Sequence, residues 1–437
     1  QGKVVEVCAE PGEFTYDTSS GLVSEVSVYG GKEKTMIART GGVVTLTSAD
    51  GAVTTIKTGI SGEVLETVDA LGGITTQGYT EDGLLKAIVS PSGLAGSITH
   101  DTLGRVSKSV SAAGTETAFA YEETFGNLKT VTDAKNHAIT YGYDSKGRGT
   151  SVSFVDDSAS RLEYNSRGDV VKSINRRGEY ISYLYDSKGR LTKKNWSNGR
   201  TFTYSYDARG NVTEAADSAT GTVRMEYDSA DRVTRIMYPT GRGFTFAYDS
   251  CGRLSVRTSH DGAAEHFSYD ASGRLASVSD GNGTVYLSNT YDATTGRVTR
   301  QSNGNGTSVS YLYDKLGRVV SIEHRDANDK IVESLQYCYD ADGRCIRAAS
   351  LLGEERYEYD KDGQLISVRY PDSPSEAFAY DAVGNRTIAN GATYTVNNLN
   401  QYTEVVNAQA ARSTMTYDRD GNMTSLADAN GTTTYTY

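Results

Sequence analysis

The sequence contains few of the residues that usually build a catalytic, metal-binding or disulfide-stabilised site. Its 437 residues include 5 Pro, 4 Cys, 5 His and 1 Trp. Four cysteines are too few for a disulfide scaffold of this length. The histidines are too scattered to form a metal-binding motif with the usual ligand spacing. They are His100, His137, His260, His266 and His324.

Long apolar runs and clusters of positive charge are also missing. No segment approaches the ~20 apolar residues of a membrane-spanning helix. The first ten residues lack a basic start and a long apolar stretch, so we expect no signal peptide there. Because the chain starts at Gln, we expect a mature form or a fragment. A net charge of −11 and a pI near 5.1 disfavour binding to nucleic acid or to an anionic membrane.

Glycine and tyrosine are abundant, with 46 and 31 copies, and tyrosine recurs at a fixed period. The dipeptide Tyr-Asp returns every 21 residues between Tyr185 and Tyr269. The same phase extends from Tyr16 to Tyr417, and Tyr437 lies where another unit would begin. We therefore predict that residues 1–437 form one array of about twenty repeats, and that this array is an incomplete segment of a longer one.

Each repeat has the pattern of a β-hairpin. Phe202, Tyr204 and Tyr206 alternate with Thr and Ser, which places the aromatic rings on one face of a strand. Asp207 and Gly210 follow as Asp-x-x-Gly, where Asp accepts bonds from turn amides and Gly tolerates a positive φ. The pattern predicts a strand, a tight turn and a second strand.

An Arg usually follows the glycine, and the second strand begins after it. Leu275 and Val278 have opposite parity, and either a bulge or a sharp twist would bring both to one face. We expect recurrent Asp and Arg to form ladders between neighbouring hairpins, and Tyr hydroxyls to remain in water. The predicted structural motif comprises Tyr185, Asp186, Gly189, Arg190, Tyr206, Asp207, Gly210, Tyr248, Asp249, Gly252, Arg253, Tyr269, Asp270, Gly273, Arg274, Tyr313, Asp314, Gly317 and Arg318.

The predicted fold is all-β. Twenty hairpins supply about forty strands, and open twisted sheets rarely exceed ~10 strands without curling. With only 37% hydrophobic residues, a thin curled wall fits the composition better than a packed globule. We therefore expect tandem hairpins of about 21 residues in one long curled sheet that forms a spiral or hollow shell, or part of one.

The repeat resembles the YD repeats of the Rhs family. The pattern Tyr-x-Tyr-Asp-x-x-Gly-Arg-Leu/Val stands at residues 183–191 and 311–319, and a dozen good copies are in phase. The family includes bacterial Rhs toxins, the B and C components of insecticidal toxin complexes, and teneurins. The resemblance implies a β-sheet that spirals into a hollow shell, which encloses a C-terminal toxic polypeptide in the bacterial toxins and supports cell-surface adhesion in teneurins.

Bacterial Rhs shells end in a segment rich in Asp-Pro that releases the toxin by autoproteolysis. Here the five prolines follow Glu10, Ser90, Tyr238, Tyr370 and Ser373, so Asp-Pro does not occur. A variable toxin domain is absent from the sequence as well. The cleavage activity is therefore not carried over, and we predict no enzymatic activity and no cofactor.

One local cluster and one recurring turn sequence could hold a metal ion. His260, Asp261, Glu265 and His266 could bind zinc, but a solvated hairpin turn explains them without any spacing rule for ligands. The Asp-x-Asp-Gly turns could bind calcium, but they lack the later ligands of an EF-hand, and their position in the repeat favours turn chemistry. These turns contain Asp340 and Asp342, Asp360 and Asp362, and Asp418 and Asp420.

The cysteines leave two alternatives open. Cys338 and Cys345 flank one hairpin turn, where they could form a disulfide or remain two free thiols. Cys251 occupies a turn position and is expected to be an exposed free thiol. Together with Cys8 it forms no nucleophilic constellation.

The sequence thus predicts a non-enzymatic shell segment that encapsulates or scaffolds a C-terminal toxin or other passenger. Its expected partners are that passenger or the remaining shell segments, with cell-surface glycans as an alternative, and neither nucleic acid nor membrane insertion is expected. The expected location is secreted or cell-surface, in bacteria. The alternative function is a carbohydrate-binding or adhesion module, although such repeats favour Trp and only Trp196 is present.

Overall fold

The computed structural model describes residues 13–18, 20–28 and 33–437. Within these ranges the chain forms 41 β-strands and no helix. The prediction of an all-β fold built from tandem hairpins is therefore confirmed. The part of the chain described here contains no helix that could cross a membrane.

The strands follow one another with short turns between them. They are β1 (Glu13–Tyr16), β2 (Val23–Val28), β3 (Glu33–Thr40), β4 (Val43–Ser48), β5 (Val53–Thr58), β6 (Val64–Val68), β7 (Ile74–Tyr79), β8 (Leu85–Val89), β9 (Ala95–His100), β10 (Val106–Val110), β11 (Glu116–Tyr121), β12 (Leu128–Thr132), β13 (Ala138–Tyr143), β14 (Gly149–Ser153), β15 (Ala159–Tyr164), β16 (Val170–Ile174), β17 (Tyr180–Tyr185), β18 (Leu191–Trp196), β19 (Thr201–Tyr206) and β20 (Val212–Asp217). The second half continues with β21 (Gly221–Tyr227), β22 (Val233–Met237), β23 (Gly243–Tyr248), β24 (Leu254–Ser259), β25 (Ala264–Tyr269), β26 (Leu275–Asp280), β27 (Val285–Tyr291), β28 (Val298–Asn303), β29 (Ser308–Tyr313), β30 (Val319–Arg325), β31 (Ile331–Tyr339), β32 (Cys345–Ser350), β33 (Gly353–Tyr359), β34 (Leu365–Arg369), β35 (Glu376–Tyr380), β36 (Arg386–Ala389), β37 (Ala392–Val396), β38 (Tyr402–Val406), β39 (Arg412–Tyr417), β40 (Met423–Asp428) and β41 (Gly431–Thr434).

The chain divides into two compact units, and each combines segments that are distant in sequence. Unit 1 contains Gln1–Gly83, Ile88–Gly93 and Val223–Glu355. Unit 2 contains Leu84–Ala87, Leu94–Thr222 and Arg356–Tyr437. Within each unit, strands that follow one another in sequence pair antiparallel, as β17 does with β18 and β24 with β25.

A bulge stands at the same point of each Tyr-Asp hairpin. Leu184 pairs with Lys193, and the next residue, Tyr185, pairs with Leu191, which leaves Thr192 as the extra residue. The register shifts in the same way before Tyr206 and before Tyr269. Of the bulge and the sharp twist that the sequence parity left open, the structure contains the bulge. It lets the second strand keep its apolar side chains on one face although their spacing is odd.

Full burial is rare among the described residues. Only Ala52, Val368 and Ala389 are buried apolar residues there. Most strand residues are half-buried, for example throughout β16 and β18. Because the described residues form no single dense core, contacts that recur in each hairpin hold the strands of each unit together.

Candidate functional site: the Tyr-Asp turn

The aspartate of the Tyr-Asp dipeptide closes its own turn. Asp186 Oδ1 accepts the main-chain N–H of Lys188 at 2.9 Å and that of Arg190 at 2.9 Å. The Gly189 N–H donates to the Asp186 carbonyl at 3.1 Å, and Gly189 has a φ of 82°. A carboxylate at this position thus satisfies the amides that the tight turn would otherwise leave unpaired.

The arginine that follows the glycine pairs with the aspartate of the same turn. Arg190 Nε donates to Asp186 Oδ2 at 2.7 Å, and the same bond joins Arg253 to Asp249 at 2.6 Å. The expected Asp–Arg ladder between neighbouring hairpins is therefore wrong for this motif. The four-residue spacing brings the carboxylate and the guanidinium together within one turn, so the ion pair forms inside a hairpin rather than between hairpins.

The guanidinium plane of the same arginine contacts the next hairpin. The Arg190 Cζ atom lies 4.6 Å from the centroid of the Tyr206 ring. The Arg190 Nη1 group also donates to the Asp207 carbonyl at 3.3 Å. A guanidinium held over an aromatic face is attracted by the ring quadrupole, so the arginine joins two successive repeats.

The tyrosine hydroxyl makes a second contact between the same two hairpins. Tyr206 Oη donates to the Leu191 carbonyl at 2.6 Å. The pairing of β18 with β19 ends at Lys193 and Thr203, so the Leu191 carbonyl lies beyond the last paired residue. The expectation of a water-exposed hydroxyl is wrong, because the hydroxyl satisfies a carbonyl at the bulge.

The predicted motif residues recur in this arrangement in the other hairpins, except that Asn211 replaces the arginine in the turn of Asp207 and donates to Asp207 Oδ2 at 3.0 Å. The hydroxyl bonds run from Tyr185 to Val170, Tyr248 to Val233, Tyr269 to Leu254 and Tyr313 to Val298, at 2.7 to 2.8 Å. Arginines cover the tyrosine rings in the pairs Arg232–Tyr248, Arg253–Tyr269, Arg274–Tyr291, Arg297–Tyr313 and Arg318–Tyr339. The glycines Gly210, Gly252, Gly273 and Gly317 all have positive φ. Asp207, Asp270 and Asp314 accept the turn amides as Asp186 does.

Electrostatics favour the charged form of these aspartates. The Arg148 guanidinium and the Arg148 main-chain N–H lower the pKa of Asp144 to about 2. The Arg190 main-chain N–H and guanidinium likewise lower the pKa of Asp186. Burial raises the pKa of Tyr206. The turn therefore keeps an anionic carboxylate beside a neutral phenol at neutral pH, which suits a structural clamp rather than proton transfer.

Side chains that the sequence offered as metal ligands bind other protein groups instead. In the Asp-x-Asp-Gly turn at 340, Asp340 closes its own turn by accepting Arg344 Nε at 2.7 Å. In the His260 cluster, Glu265 accepts Arg257 Nε at 2.7 Å. Among the described residues, no group of three or more His, Cys, Asp or Glu is arranged to hold a metal ion.

The cysteines differ from two of the sequence expectations. Cys338 and Cys345 are free thiols, so the structure does not form the disulfide between them. Because of the bulge, Cys345 lies opposite Tyr339 and Cys338 lies opposite Arg347. Cys251 is disulfide-bonded and half-buried, so the expectation of an exposed free thiol is wrong. Cys8 lies outside the described residues.

Sequence reasoning missed two of these relationships. The arginine-to-ring contact and the tyrosine-to-carbonyl bond both link residues 15 or 16 positions apart in successive hairpins. The shared 21-residue phase of Arg, Tyr and the bulge was the available signal. That phase does not identify the contacting atoms, which only the strand pairing in the structure shows.

We call a turn clamped when its Asp and Arg bind each other and the Arg also contacts the Tyr of the next repeat. The all-β fold and its clamped turns define a protein of the YD-repeat shell class. The family model for the teneurin YD-shell matches residues 135–267, 170–313 and 255–391. These overlapping matches extend over residues 135–391, more than half of the chain, and the chain therefore belongs to the teneurin YD-shell family. The resemblance to YD-repeat proteins is confirmed.

Solved toxin structures share the fold. The chain is similar to the crystal structure of TcdB2-TccC3-Cdc42, with a TM-score of 0.69 and 15% identity over 95% of this chain and 30% of that chain. It is also similar to TcdB2-TccC3 without its hypervariable C-terminal region, with a TM-score of 0.70 and 14% identity over 97% of this chain and 30% of that chain. The chain thus spans about a third of those proteins. A comparison with curated protein sequences gives no match.

Proposed function

We propose that this chain is a non-enzymatic segment of a YD shell that encapsulates or scaffolds a passenger polypeptide encoded C-terminal to it. The observation that carries the proposal is the clamped turn, in which the Asp, Arg and Tyr side chains of successive repeats bind one another. Side chains engaged in this way build a wall and leave no nucleophile or general base in the motif. Membership of the YD-shell family supports the same role.

The partners follow from this role. The chain covers about 30% of the length of each TcdB2-TccC3 chain that shares its fold. The remaining shell segments are therefore one expected partner, and the passenger is the other. We place the protein outside the cytosol, secreted or at the cell surface of a bacterium. The Cys251 disulfide supports this location, because disulfides persist in oxidising compartments.

The carbohydrate-binding alternative would use exposed aromatic rings as ligand platforms. In the motif, however, the tyrosine rings are covered by arginine, as Arg253 covers Tyr269 at 4.4 Å. This contact argues against sugar stacking on the repeated tyrosines. It leaves enclosure or scaffolding as the better-supported function.

Protease protection tests the proposal directly. The complete native gene product is purified without denaturant, treated with protease and analysed by mass spectrometry. We expect a second polypeptide from the C-terminal end of the same gene to co-purify and to resist digestion until the shell is unfolded. Digestion of that polypeptide at the same rate with and without the shell would refute encapsulation. A glycan array with the same sample tests the adhesion alternative.

A further inference from the structure

The second aspartate of an Asp-x-Asp-Gly turn contacts a distant turn. In unit 1, Ser92 donates its main-chain N–H to Asp342 Oδ1 at 3.2 Å and its hydroxyl to Asp342 Oδ2. The two residues are 250 positions apart. Ser92 lies in the turn that joins one hairpin to the next, whereas Asp342 lies in a Tyr-Asp turn.

The same contact recurs in unit 2. Asp362 Oδ1 accepts the main-chain N–H of Ala113 at 3.0 Å, and Asp362 Oδ2 accepts the Thr115 hydroxyl at 3.1 Å. These residues are 249 and 247 positions apart. Two separate units thus show one geometry, in which a carboxylate takes one amide and one hydroxyl from a turn about 250 residues earlier.

The third Asp-x-Asp-Gly turn adds charge to this contact. Asp420 Oδ1 accepts the Arg176 main-chain N–H at 2.8 Å, and Asp420 Oδ2 accepts Asn175 Nδ2 and Arg177 Nε, each at 2.7 Å. Arg177 also pairs with Asp418 at 3.0 Å. The distant turn therefore contributes a main-chain amide and a guanidinium, and the charged donor makes this hydrogen bond stronger than a neutral one.

These carboxylates are not needed to close their own turns. The first aspartate does that, since Asp340 Oδ1 accepts the N–H of Arg344 at 2.9 Å. The side chain of Asp342 is only 14% exposed and that of Asp420 17%. At the same turn position, Lys146, Lys188 and Asp82 are exposed. Aspartate at this position thus contacts another turn where it is half-buried, as Asp342, Asp362 and Asp420 are.

We propose that the third residue of the Tyr-Asp turn is a latch position: Asp342, Asp362 and Asp420 each bind a turn 243 to 250 residues earlier and hold the two rows of turns in register within their unit. At Asp362 the side-chain bonds go to the distant turn, whereas Asp342 also accepts Arg344 Nη2 of its own turn at 3.2 Å. The Asp-x-Asp-Gly sequence therefore encodes contact with another row of turns, rather than a cation site.

Amide hydrogen exchange on the full chain tests the latch, because each aspartate protects an identified amide. In Asp362→Ala we expect exchange at the Ala113 amide to rise at least tenfold, with no change at the Gln364 amide, which Asp360 holds. Thr115→Val is the milder variant and should raise exchange at Ala113 by a smaller factor. Lys188→Ala is the matched control at the same turn position and should leave all distant turns unchanged.

Three results would overturn the latch. One is an Ala113 amide that exchanges equally fast in the parent and in both variants. Another is loss of protection at the Gln364 amide together with Ala113, since the carboxylate would then support its own hairpin. The last is calcium binding, measured by calorimetry with Ca²⁺ alone, that disappears in Asp362→Ala, because the carboxylate would then be a cation ligand.

Discussion

The guanidinium of Arg190 binds the Asp186 carboxylate of its own turn at 2.7 Å and covers the Tyr206 ring of the next hairpin at 4.6 Å. One side chain therefore closes a repeat and joins it to its neighbour. Repeat proteins gain most of their cooperativity from such nearest-neighbour contacts. The experiments below measure these contacts one at a time by the free energy of local opening from amide exchange.

Arg190 and Tyr206 should be energetically coupled. A double-mutant cycle with Arg190→Ala and Tyr206→Leu is expected to give a coupling of ~0.5–1 kcal/mol in the opening of β17–β20, the usual range for a partly exposed cation–π pair. Lys188→Ala, in the same turn but exposed, serves as the control. Strict additivity of the two single variants would contradict the contact.

The Tyr206 hydroxyl should contribute through the Leu191 carbonyl. Tyr206→Phe keeps the ring and removes the 2.6 Å bond, so the opening free energy of β18–β19 should fall by ~0.5–1.5 kcal/mol. Tyr204→Phe lies two residues away in the same strand and provides the comparison, with an expected change near zero. Equal effects of the two substitutions would show that the carbonyl bond contributes nothing.

Gly189 should be required for its backbone conformation rather than for space. It has a φ of +82°, and a Cβ atom there would meet nothing within 4 Å. Gly189→Ala is therefore expected to cost ~1–2 kcal/mol through left-handed strain alone. Gly149 also has open space but no positive φ, so Gly149→Ala should be neutral or slightly stabilising. A harmless Gly189→Ala would contradict the turn geometry.

The Tyr-Asp turns should become less stable at low pH. Folding lowers the pKa of Asp144 from 3.8 to about 2, so the ionised form favours the folded turn. This stability is complete above about pH 4 and is lost as the pH falls toward 2. Amide exchange at Lys146 and Arg148, corrected for intrinsic rates, should report the loss. Asp144→Asn should remove the pH dependence at this turn, and persistence of that dependence in the variant would assign it to another group.

The three described cysteines should react differently with alkylating reagents. Cys338 and Cys345 are free, whereas Cys251 is disulfide-bonded. In the unfolded chain without reductant, peptide mapping should find Cys338 and Cys345 alkylated and Cys251 unmodified, with Cys251 labelled only after reduction. Burial raises the pKa of Cys345, so its labelling in the folded chain should be slow at neutral pH. Labelling of Cys251 without reductant would contradict its disulfide.

Much of the local structure could be predicted from the sequence. The alternation of Phe202, Tyr204 and Tyr206 predicted β19. The parity of Leu275 and Val278 predicted a bulge or a sharp twist, and the structure contains the bulge. Both patterns depend on the strand's two-residue period, which operates over a few neighbouring residues. For the same reason, the partner of Arg190 in the next hairpin was not predicted, since it depends on register between hairpins.

The sequence by itself determined the hairpins, because strand alternation and turn chemistry at Asp186 and Gly189 are local and recur with a 21-residue phase. Only the tertiary structure decided which contacts side chains make outside their own hairpin. Arg190 covers the Tyr206 ring, Tyr206 donates to the Leu191 carbonyl, and Asp362 binds a turn 249 residues away. The physical reason is that local conformational preferences extend over a few bonds. Which turns meet across hundreds of residues depends on how twist accumulates along the paired strands.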